Sequence, residues 1–326
     1  MTRAVALFGA GRIGAIHAAN AAAHPDLALK WVVDPIGDAA ARLAARHGAQ
    51  VGAAGAVWTD AAVEGVIVAS STDSHLDHCV AAAAAGKAIF CEKPLDLDLA
   101  RARAAAPQLA RARLLLGFNR RFDPHFQALR ARIDAGEIGA LETLNITSHD
   151  PAPPPVAYVK VSGGLFRDMA IHDFDTARWL LGEPPAEVFA SGSWLVDPEI
   201  GAAGDVDTAR ILLRTASGRL CLISNTRRSG YGYDQRIEAF GAGGMLRADN
   251  VVESTVETWG EAGAAADRFQ NFFLDRYSDA YRLEMAHFAE VLAGAAPRVG
   301  LAEGLAALAL AEAAEESVRT GARVRL

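Results

Sequence analysis

Two different rhythms of strand and helix predict an α/β chain in two parts, one on a parallel sheet and one on a meandering antiparallel sheet. Over the first 120 residues, strand-sized apolar runs alternate with helical stretches, which implies parallel strands joined by crossovers. Between residues 188 and 259, strand-like runs follow one another with no long helix between them, which implies a meander. Length agrees, because 326 residues, 51% of them apolar, suffice for two cores. The boundary is expected near residue 120, giving domains 1–120 and 121–326.

The elements follow in order. Residues 4–8 form an apolar run, then come Gly9-Ala10-Gly11-Arg12-Ile13-Gly14 and an Ala-rich helix to residue 23. A second strand at 27–33 ends in Asp34, and a helix covers 38–47. A third strand, poorly defined, is expected near 53–57. Residues 63–69 are a strand, followed by Ser70-Ser71-Thr72-Asp73 and a helix over 75–85 that Gly86 stops. The strand 88–91 runs into Glu92-Lys93-Pro94, residues 96–109 read helical, and 114–118 is one more strand. Asp123-Pro124 resembles an N-cap with a first-turn proline, opening a helix to about residue 135. A strand at 141–148, a stiff extended segment at 151–155 and a helix at 164–181 come next. Strands are expected at 188–196, 208–214, 220–225, 236–240 and 251–259, and helices at 279–292 and 301–319.

Composition narrows the function classes. A net charge of −7 and a pI near 5.7 argue against a general nucleic-acid or anionic-membrane surface. No apolar stretch reaches eighteen residues, and no basic-then-apolar leader opens the chain. Three cysteines (Cys79, Cys91, Cys221) without metal-type spacing fit reduced thiols in a cytoplasm.

The glycine-rich turn carries the first chemistry. A lone GxGxxG is weak evidence, but here a strand precedes it, a helix follows it, and Asp34 stands twenty residues beyond Gly14 at the next strand's end. Gly9 allows the tight turn, Gly11 lets a pyrophosphate approach the backbone, and Gly14 lets the helix pack on the strand. The helix N-terminus offers amide groups and a positive dipole end. These are the marks of a Rossmann dinucleotide site. Asp34 accepts from the ribose hydroxyls and repels a 2′-phosphate, and Pro35-Ile36-Gly37 brings no cation to offset that, so NAD is expected over NADP. Ser71 and Thr72 follow the fourth strand on the same edge, where they either contact the cofactor or, as Ser71 or Asp73, cap the next helix.

Lys93 is the second feature. Only four of the 32 basic residues are lysine, so a lysine at a strand end suggests a use for a compact ammonium that guanidinium cannot fill. Lys30, Lys87 and Lys160 share that bias, but only Lys93 ends a buried-strand pattern, and Pro94 keeps it out of the helical region. The third feature is Gly163-Gly164-Leu165-Phe166-Arg167-Asp168-Met169-Ala170-Ile171-His172. On a helix, Asp168 and His172 share one face, with Asp175 close to the same stripe. Two readings stand: a carboxylate-oriented imidazole doing general-base work, or a solvated i,i+4 pair. A metal held by Asp168, His172 and Asp175 is disfavoured by the third ligand's spacing, and no metal is expected. His75, His78 and His149 could be ligands or bases, but lone histidines in such contexts are mostly structural. Arg120-Arg121 either binds a polyol or phosphate or covers a domain joint. Tyr231-Gly232-Tyr233-Asp234 either reaches a sugar or forms a hairpin turn with aromatic packing.

Taken together, Gly9 to Gly14 with His17, then Glu92-Lys93-Pro94, then Asp168 with His172 resemble the glucose–fructose oxidoreductase / inositol dehydrogenase / MocA family over nearly the full length. The inositol 2-dehydrogenase branch is the closer match, through Gly117-Phe118-Asn119-Arg120-Arg121-Phe122-Asp123, Tyr158-Val159-Lys160-Val161-Ser162-Gly163-Gly164, Ile171-His172-Asp173-Phe174-Asp175 and Tyr231-Gly232-Tyr233-Asp234-Gln235-Arg236. The resemblance implies a Rossmann domain, an α/β domain with a large open antiparallel sheet, and tetramers formed through that sheet. It implies catalysis by Lys93, Asp168 and His172, and a cofactor site of Gly9, Gly11, Arg12, Ile13, Asp34, Ser71, Thr72, His75, Glu92 and Lys93. Substrate contacts are expected from Lys93, Arg121, Asp150, Asp168, His172 and Tyr233, with Lys160 a further candidate. The implied activity is NAD-dependent oxidation of a cyclic polyol, myo-inositol to 2-keto-myo-inositol. Scyllo-inositol, an aldose such as glucose, or a non-catalytic dinucleotide sensor are the alternatives.

Overall fold

A computed structural model describes residues 2–326. The elements are β1 (Arg3–Phe8), α1 (Arg12–Ala23), β2 (Leu27–Val33), α2 (Gly37–His47), β3 (Gln50–Val51), α3 (Ala54–Thr59), β4 (Val63–Val68), α4 (His75–Ala84), β5 (Ala88–Glu92), α5 (Leu99–Leu109) and β6 (Leu114–Gly117). They continue with α6 (Pro124–Asp134), β7 (Leu141–His149), α7 (Val156–Ser162), a π-turn at Phe166–Ala170, α8 (Ile171–Leu181), β8 (Pro185–Ser193), α9 (Pro198–Ala202), β9 (Thr208–Thr215) and β10 (Leu220–Thr226). The last are β11 (Asp234–Gly241), β12 (Gly244–Ala248), β13 (Glu257–Gly260), β14 (Gly263–Ala266), α10 (Phe273–Arg276), α11 (Ser278–Leu292), α12 (Leu301–Thr320) and β15 (Val324–Arg325). Two compact units result: Met1–Phe122 with Ala280–Leu308, and Asp123–Asp279 with Ala309–Leu326.

The first unit is a six-stranded parallel sheet in the order β3-β2-β1-β4-β5-β6, the Rossmann arrangement. Its central strands are buried along most of their length, as a sheet covered on both faces requires. Part of that cover is α11: a Cβ added to Gly65 on β4 would stand 2.8 Å from Leu292 and 3.0 Å from Phe288. Each such buried Leu or Phe contributes about 1.5–3 kcal/mol.

The third strand departs from expectation. Residues 54–59 are helix α3, and β3 is the two residues Gln50–Val51, paired with Trp31 and Val32. The reason is packing. Val57 is buried, and Trp58 stacks on Phe8 with ring centroids 4.8 Å apart. Two lysines also prove structural. Lys30 pairs with Asp60 at 2.6 Å, and Lys87 donates to the carbonyls of Asp60 and Val63, both at 2.9 Å.

The second unit holds a seven-stranded sheet in the order β12-β11-β7-β10-β9-β8-β15. It is mixed: β10 runs parallel to β7, and every other pairing is antiparallel. The chain leaves β7 through α7, α8, β8 and β9 before β10 returns beside it, so the meander is interrupted by one crossover. The strand expected at 251–259 is absent as such. A small exposed hairpin, β13 with β14, lies there outside the large sheet, and an isolated bridge joins Val252 to Phe269. The sheet's edge is instead β12, whose Leu246 and Ala248 alternate inward. Helix α7 was also not foreseen. One sheet face is buried, partly by α8, whose Asp173 accepts a hydrogen bond from Asn225 Nδ2 at 2.8 Å. The other leaves Phe189, Leu212, Leu222 and Met245 exposed. Among the described residues, no helix is long and apolar enough to cross a membrane.

Candidate active site

In the first unit, the expected cofactor residues gather along the carboxyl ends of the parallel strands. Gly9 follows β1, Asp34 follows β2, Ser71 and Thr72 follow β4, and Glu92 ends β5. The strand order reverses between β1 and β4, the position where open α/β sheets take ligands. Gly9 has φ +102°, and a Cβ there would sit 2.3 Å from the Ala69 carbonyl oxygen. A Cβ on Gly14 would meet the Gly9 carbonyl oxygen at 2.0 Å, whereas one on Gly11 would meet nothing within 4 Å. The turn therefore needs glycine at Gly9 and Gly14 for its own packing, while Gly11 faces open space suited to a phosphate. Gly11 caps α1 with no side-chain bond, and no acid occupies the first turn, so nothing competes with an anion at that helix end. Arg12 is exposed at the start of α1, with the partly buried Ile13 beside it.

Asp34 accepts from the amides of Ala10 at 2.6 Å and Ile36 at 2.7 Å. Those bonds tie the second strand's end to the glycine turn and leave the carboxylate with spare lone pairs for hydroxyl donors. The residues present thus fit NAD.

After β4, residues Thr72–Ser74 form one 3₁₀ turn, and neither Ser71 nor Ser74 makes a side-chain cap bond. The capping role considered for Ser71 is not realised; its side chain is exposed. His75 is buried, with Nδ1 2.8 Å from the Pro94 carbonyl oxygen and Nε2 3.0 Å from that of Ser70. It ties the segment after β4 to the Lys93-Pro94 segment. Lys93 is half-buried, and its amide donates to Glu92 Oε2 at 3.3 Å. Glu92 Oε1 lies 2.6 Å from Nε2 of the buried His17 on α1. Arg121 lies in a 3₁₀ turn, Asn119–Phe122, also in this unit.

In the second unit, Asp168 lies within the π-turn and His172 in the first turn of α8. A π-turn inside a helix frequently marks a functional site, because the extra residue per turn re-aims side chains. The Tyr158 hydroxyl donates to Asp168 Oδ1 at 3.0 Å, and Arg227 Nη1 donates to Oδ2 at 3.4 Å. Arg227 also lies 3.9 Å from Asp205, which accepts the Leu165 amide at the helix start. Burial raises the Asp205 carboxyl against the opposing pull of the Leu165 amide and Arg227. Gly164 makes room for it, since a Cβ there would stand 2.7 Å from Asp205 Oδ1. Arg227, Asp205 and Tyr158 were not assigned roles from sequence. Of the three, only Tyr158 lies in a motif that carries the family resemblance, Tyr158-Val159-Lys160-Val161-Ser162-Gly163-Gly164.

Asp150 follows β7, its amide bonded to the Thr226 carbonyl at 2.9 Å. Tyr233 is buried, edge-on to Tyr277 at 6.1 Å. Its neighbour Asp234 accepts from Tyr231, Arg236 and Asn250. Burial opposes that charge, but these bonds hold the carboxyl below its ordinary range. His149 lies 2.8 Å from Ser224 Oγ, with burial lowering its affinity for a proton. Lys160 is exposed at the end of α7.

Known proteins resemble this chain over nearly its whole length. The model of an oxidoreductase family with an NAD-binding Rossmann fold, GFO/IDH/MocA, matches residues 3–119, and that of the GFO/IDH/MocA C-terminal domain matches 126–247. An inositol 2-dehydrogenase of Rhizobium meliloti (strain 1021) is 47% identical over 98% of this chain and 97% of its own length. A myo-inositol 2-dehydrogenase of Thermotoga maritima is 45% identical over 99% and 98%. The crystal structure of a myo-inositol dehydrogenase from Corynebacterium glutamicum superimposes with a TM-score of 0.96 at 44% identity, covering 100% of this chain and 99% of that one. A scyllo-inositol dehydrogenase from Lactobacillus casei, solved with NAD(H) and scyllo-inositol, gives 0.92 at 27% identity over 100% and 99%.

Proposed function

The chain belongs to the GFO/IDH/MocA family of NAD-binding oxidoreductases, and from that premise we propose that it oxidises a cyclic polyol, myo-inositol to 2-keto-myo-inositol. One observation carries the reading. A lysine at a strand's carboxyl end and an Asp–His pair at a π-turn stand together in a chain 45–47% identical to inositol dehydrogenases over nearly its whole length. A sensor that had abandoned chemistry has no reason to keep all three.

NAD, when bound, supplies the acceptor for the carbinol hydride. Gly9, Gly11, Arg12, Ile13, Asp34, Ser71 and Thr72 would hold it, with Glu92 and His75 shaping the adjoining segment. His172 takes the hydroxyl proton, and Asp168 orients its ring. Lys93 donates to the same oxygen as it becomes a carbonyl. Alkoxide character grows as the carbon–hydrogen bond breaks, so a fixed ammonium stabilises the transition state more than the ground state. The substrate is uncharged, and its discrimination rests on hydroxyl contacts. Arg121, Asp150 and Tyr233 are the residues we assign to them, because a stereoisomer that leaves such groups unpaired is penalised. Scyllo-inositol is the second reading, favoured by the likeness to the Lactobacillus casei enzyme.

We assign cofactor binding to residues 1–120 and substrate binding and assembly to residues 121–326, with Ala280–Leu308 of the latter packing in the first unit. The exposed apolar row on the second unit's sheet supports a homo-tetramer built through that face, and three free, buried thiols fit a cytoplasmic protein. The deciding experiment is NADH formation at 340 nm with NAD or NADP against myo-inositol, scyllo-inositol, D-chiro-inositol and glucose. We expect turnover with NAD and myo-inositol that His172→Ala abolishes. No turnover on any polyol by protein that binds NADH refutes the assignment.

A further inference from the structure

One buried cluster in the first unit takes no direct part in the hydride or proton transfer. His17 on α1, Glu92 at the end of β5 and Glu284 on α11 bring their ligand atoms within 4.8 Å of one another. His17 and Glu284 are fully buried, and the Glu92 side chain is 12% exposed. Neither carboxyl oxygen of Glu284 has a hydrogen-bond partner, nor has Nδ1 of His17. Buried polar groups left in that state are rare and call for an explanation.

A metal ion is one, because a histidine and two carboxylates form a common ligand set. The distances argue against it. His17 Nε2 and Glu92 Oε1 are 2.6 Å apart, a hydrogen-bond separation. Two ligands each about 2.1 Å from a zinc-like ion in tetrahedral array stand well over 3 Å apart. A proton lies between these two atoms.

The other oxygen of Glu92 leads to the reaction. Oε2 accepts the amide of Lys93 at 3.3 Å, so one carboxylate joins a buried imidazole to the backbone of the lysine. Gly117, the last residue of β6, leaves room for it, as a Cβ there would stand 3.2 Å from Oε2. The other side of Lys93 is held as well, through His75 and the Pro94 carbonyl. The His17 ring is itself wedged edge-on between Phe90 at 4.7 Å and Tyr281 at 5.8 Å.

We propose that Glu92 is a positioning residue for Lys93, clamped by its bond to His17 and backed by the side chain of Glu284, so that the lysine leaves the strand in one fixed direction. The proposal rests on the reading of Lys93 as the lysine that meets the reacting oxygen. Burial, and then the charge of Glu92, push the Glu284 carboxyl well above its ordinary range. It therefore fills the space beside Glu92 as a neutral acid, adding no second charge to the cluster. Fixing the lysine matters because a displacement of about 1 Å at a reacting group costs about 10²-fold in rate.

The test compares wild type with Glu92→Gln, His17→Gln, Glu284→Ala and Glu284→Gln. The rate of Lys93 labelling by trinitrobenzenesulfonate is read by peptide mass spectrometry, beside kcat, KM for NAD and the thermal midpoint. Glu92→Gln keeps shape but cannot accept from both His17 and Lys93 as a carboxylate does. We expect it to change Lys93 labelling by threefold or more and to lower kcat by about tenfold, a fall that exceeds any change in KM for NAD. His17→Gln should do the same, and is the variant to read if Glu92→Gln does not fold. Glu284→Ala should lower kcat and Glu284→Gln should restore it. Unchanged Lys93 labelling in folded Glu92→Gln or His17→Gln overturns the proposal, as does a Glu284→Gln as slow as Glu284→Ala. If wild type turns over no polyol, the assigned reaction falls, and the labelling still decides the clamp.

Discussion

Arg227 Nη1 stands 3.4 Å from Asp168 Oδ2, while Tyr158 donates to the other oxygen of the same carboxylate at 3.0 Å. The arginine side chain is 1% exposed, and it lies 59 residues along the chain from Asp168. A cation and a hydroxyl thus hold the carboxylate that we assign to orienting His172, in a place where the helix winds as a π-turn.

Arg227→Met should therefore damage both stability and rate. Removing one partner of a buried ion pair leaves uncompensated charge and costs about 3–5 kcal/mol. Urea unfolding should show a loss of at least about 3 kcal/mol, and kcat should fall with it. Tyr158→Phe, at an exposed side chain, should cost about 1 kcal/mol or less. Equal unfolding midpoints for wild type and Arg227→Met would sink this account.

Two glycine substitutions should separate folding from cofactor binding. Gly14→Ala drives a Cβ to 2.0 Å from the Gly9 carbonyl oxygen and should lower the thermal midpoint by several degrees. Gly11→Ala meets nothing within 4 Å and should leave that midpoint unchanged. Its methyl group nonetheless occupies the approach of the pyrophosphate, so NADH affinity, read by fluorescence titration, should fall about tenfold or more.

Glu284 should make stability depend on pH in a defined direction. Its folded-state pKa is raised, chiefly by burial. Between the ordinary carboxylate pKa and the raised one, the folded state binds the extra proton. Its contribution is complete below the unfolded value and is lost as pH rises toward the folded value. The titratable groups beside it are His17 on α1 and Glu92 on β5, and Tyr281 of its own helix packs edge-on against His17. Glu284→Gln removes the titration, so its stability relative to wild type should climb from about pH 4.5 upward, by at most about 1.4 kcal/mol per pH unit. A difference in urea midpoint that stays flat from pH 4 to 8 would contradict this.

The open sheet face should control assembly. Phe189, Leu212 and Leu222 form one cross-strand row on β8, β9 and β10. Leu222→Arg places a charge in its middle and should lower the mass of the tetramer that we propose, in light scattering, while leaving the sheet intact by circular dichroism. A wild-type mass of one chain, or a mass that Leu222→Arg leaves unchanged, would refute assembly through this face.

What the chain determined by itself is short-range. The alternation of apolar runs and helices identified the parallel sheet, because burial on both faces writes continuous apolar strands. Gly9, Gly11, Gly14 and Asp34 were legible because a tight turn and a helix end impose residue types at fixed spacing. Lys93 stood out because Pro94 and the preceding strand constrain its backbone locally.

Tertiary structure decided the rest, through residues remote in sequence. Trp58 stacking on Phe8 makes residues 54–59 a helix rather than a strand. The return of β10 beside β7 makes the second sheet mixed, a choice that period-two alternation cannot express. Arg227 reaches Asp168 across 59 positions, and Glu284 meets Glu92 only because α11 packs against the first unit's sheet. Sequence spacing reports local sterics and periodicity, whereas which buried charge meets which partner is settled by long-range packing.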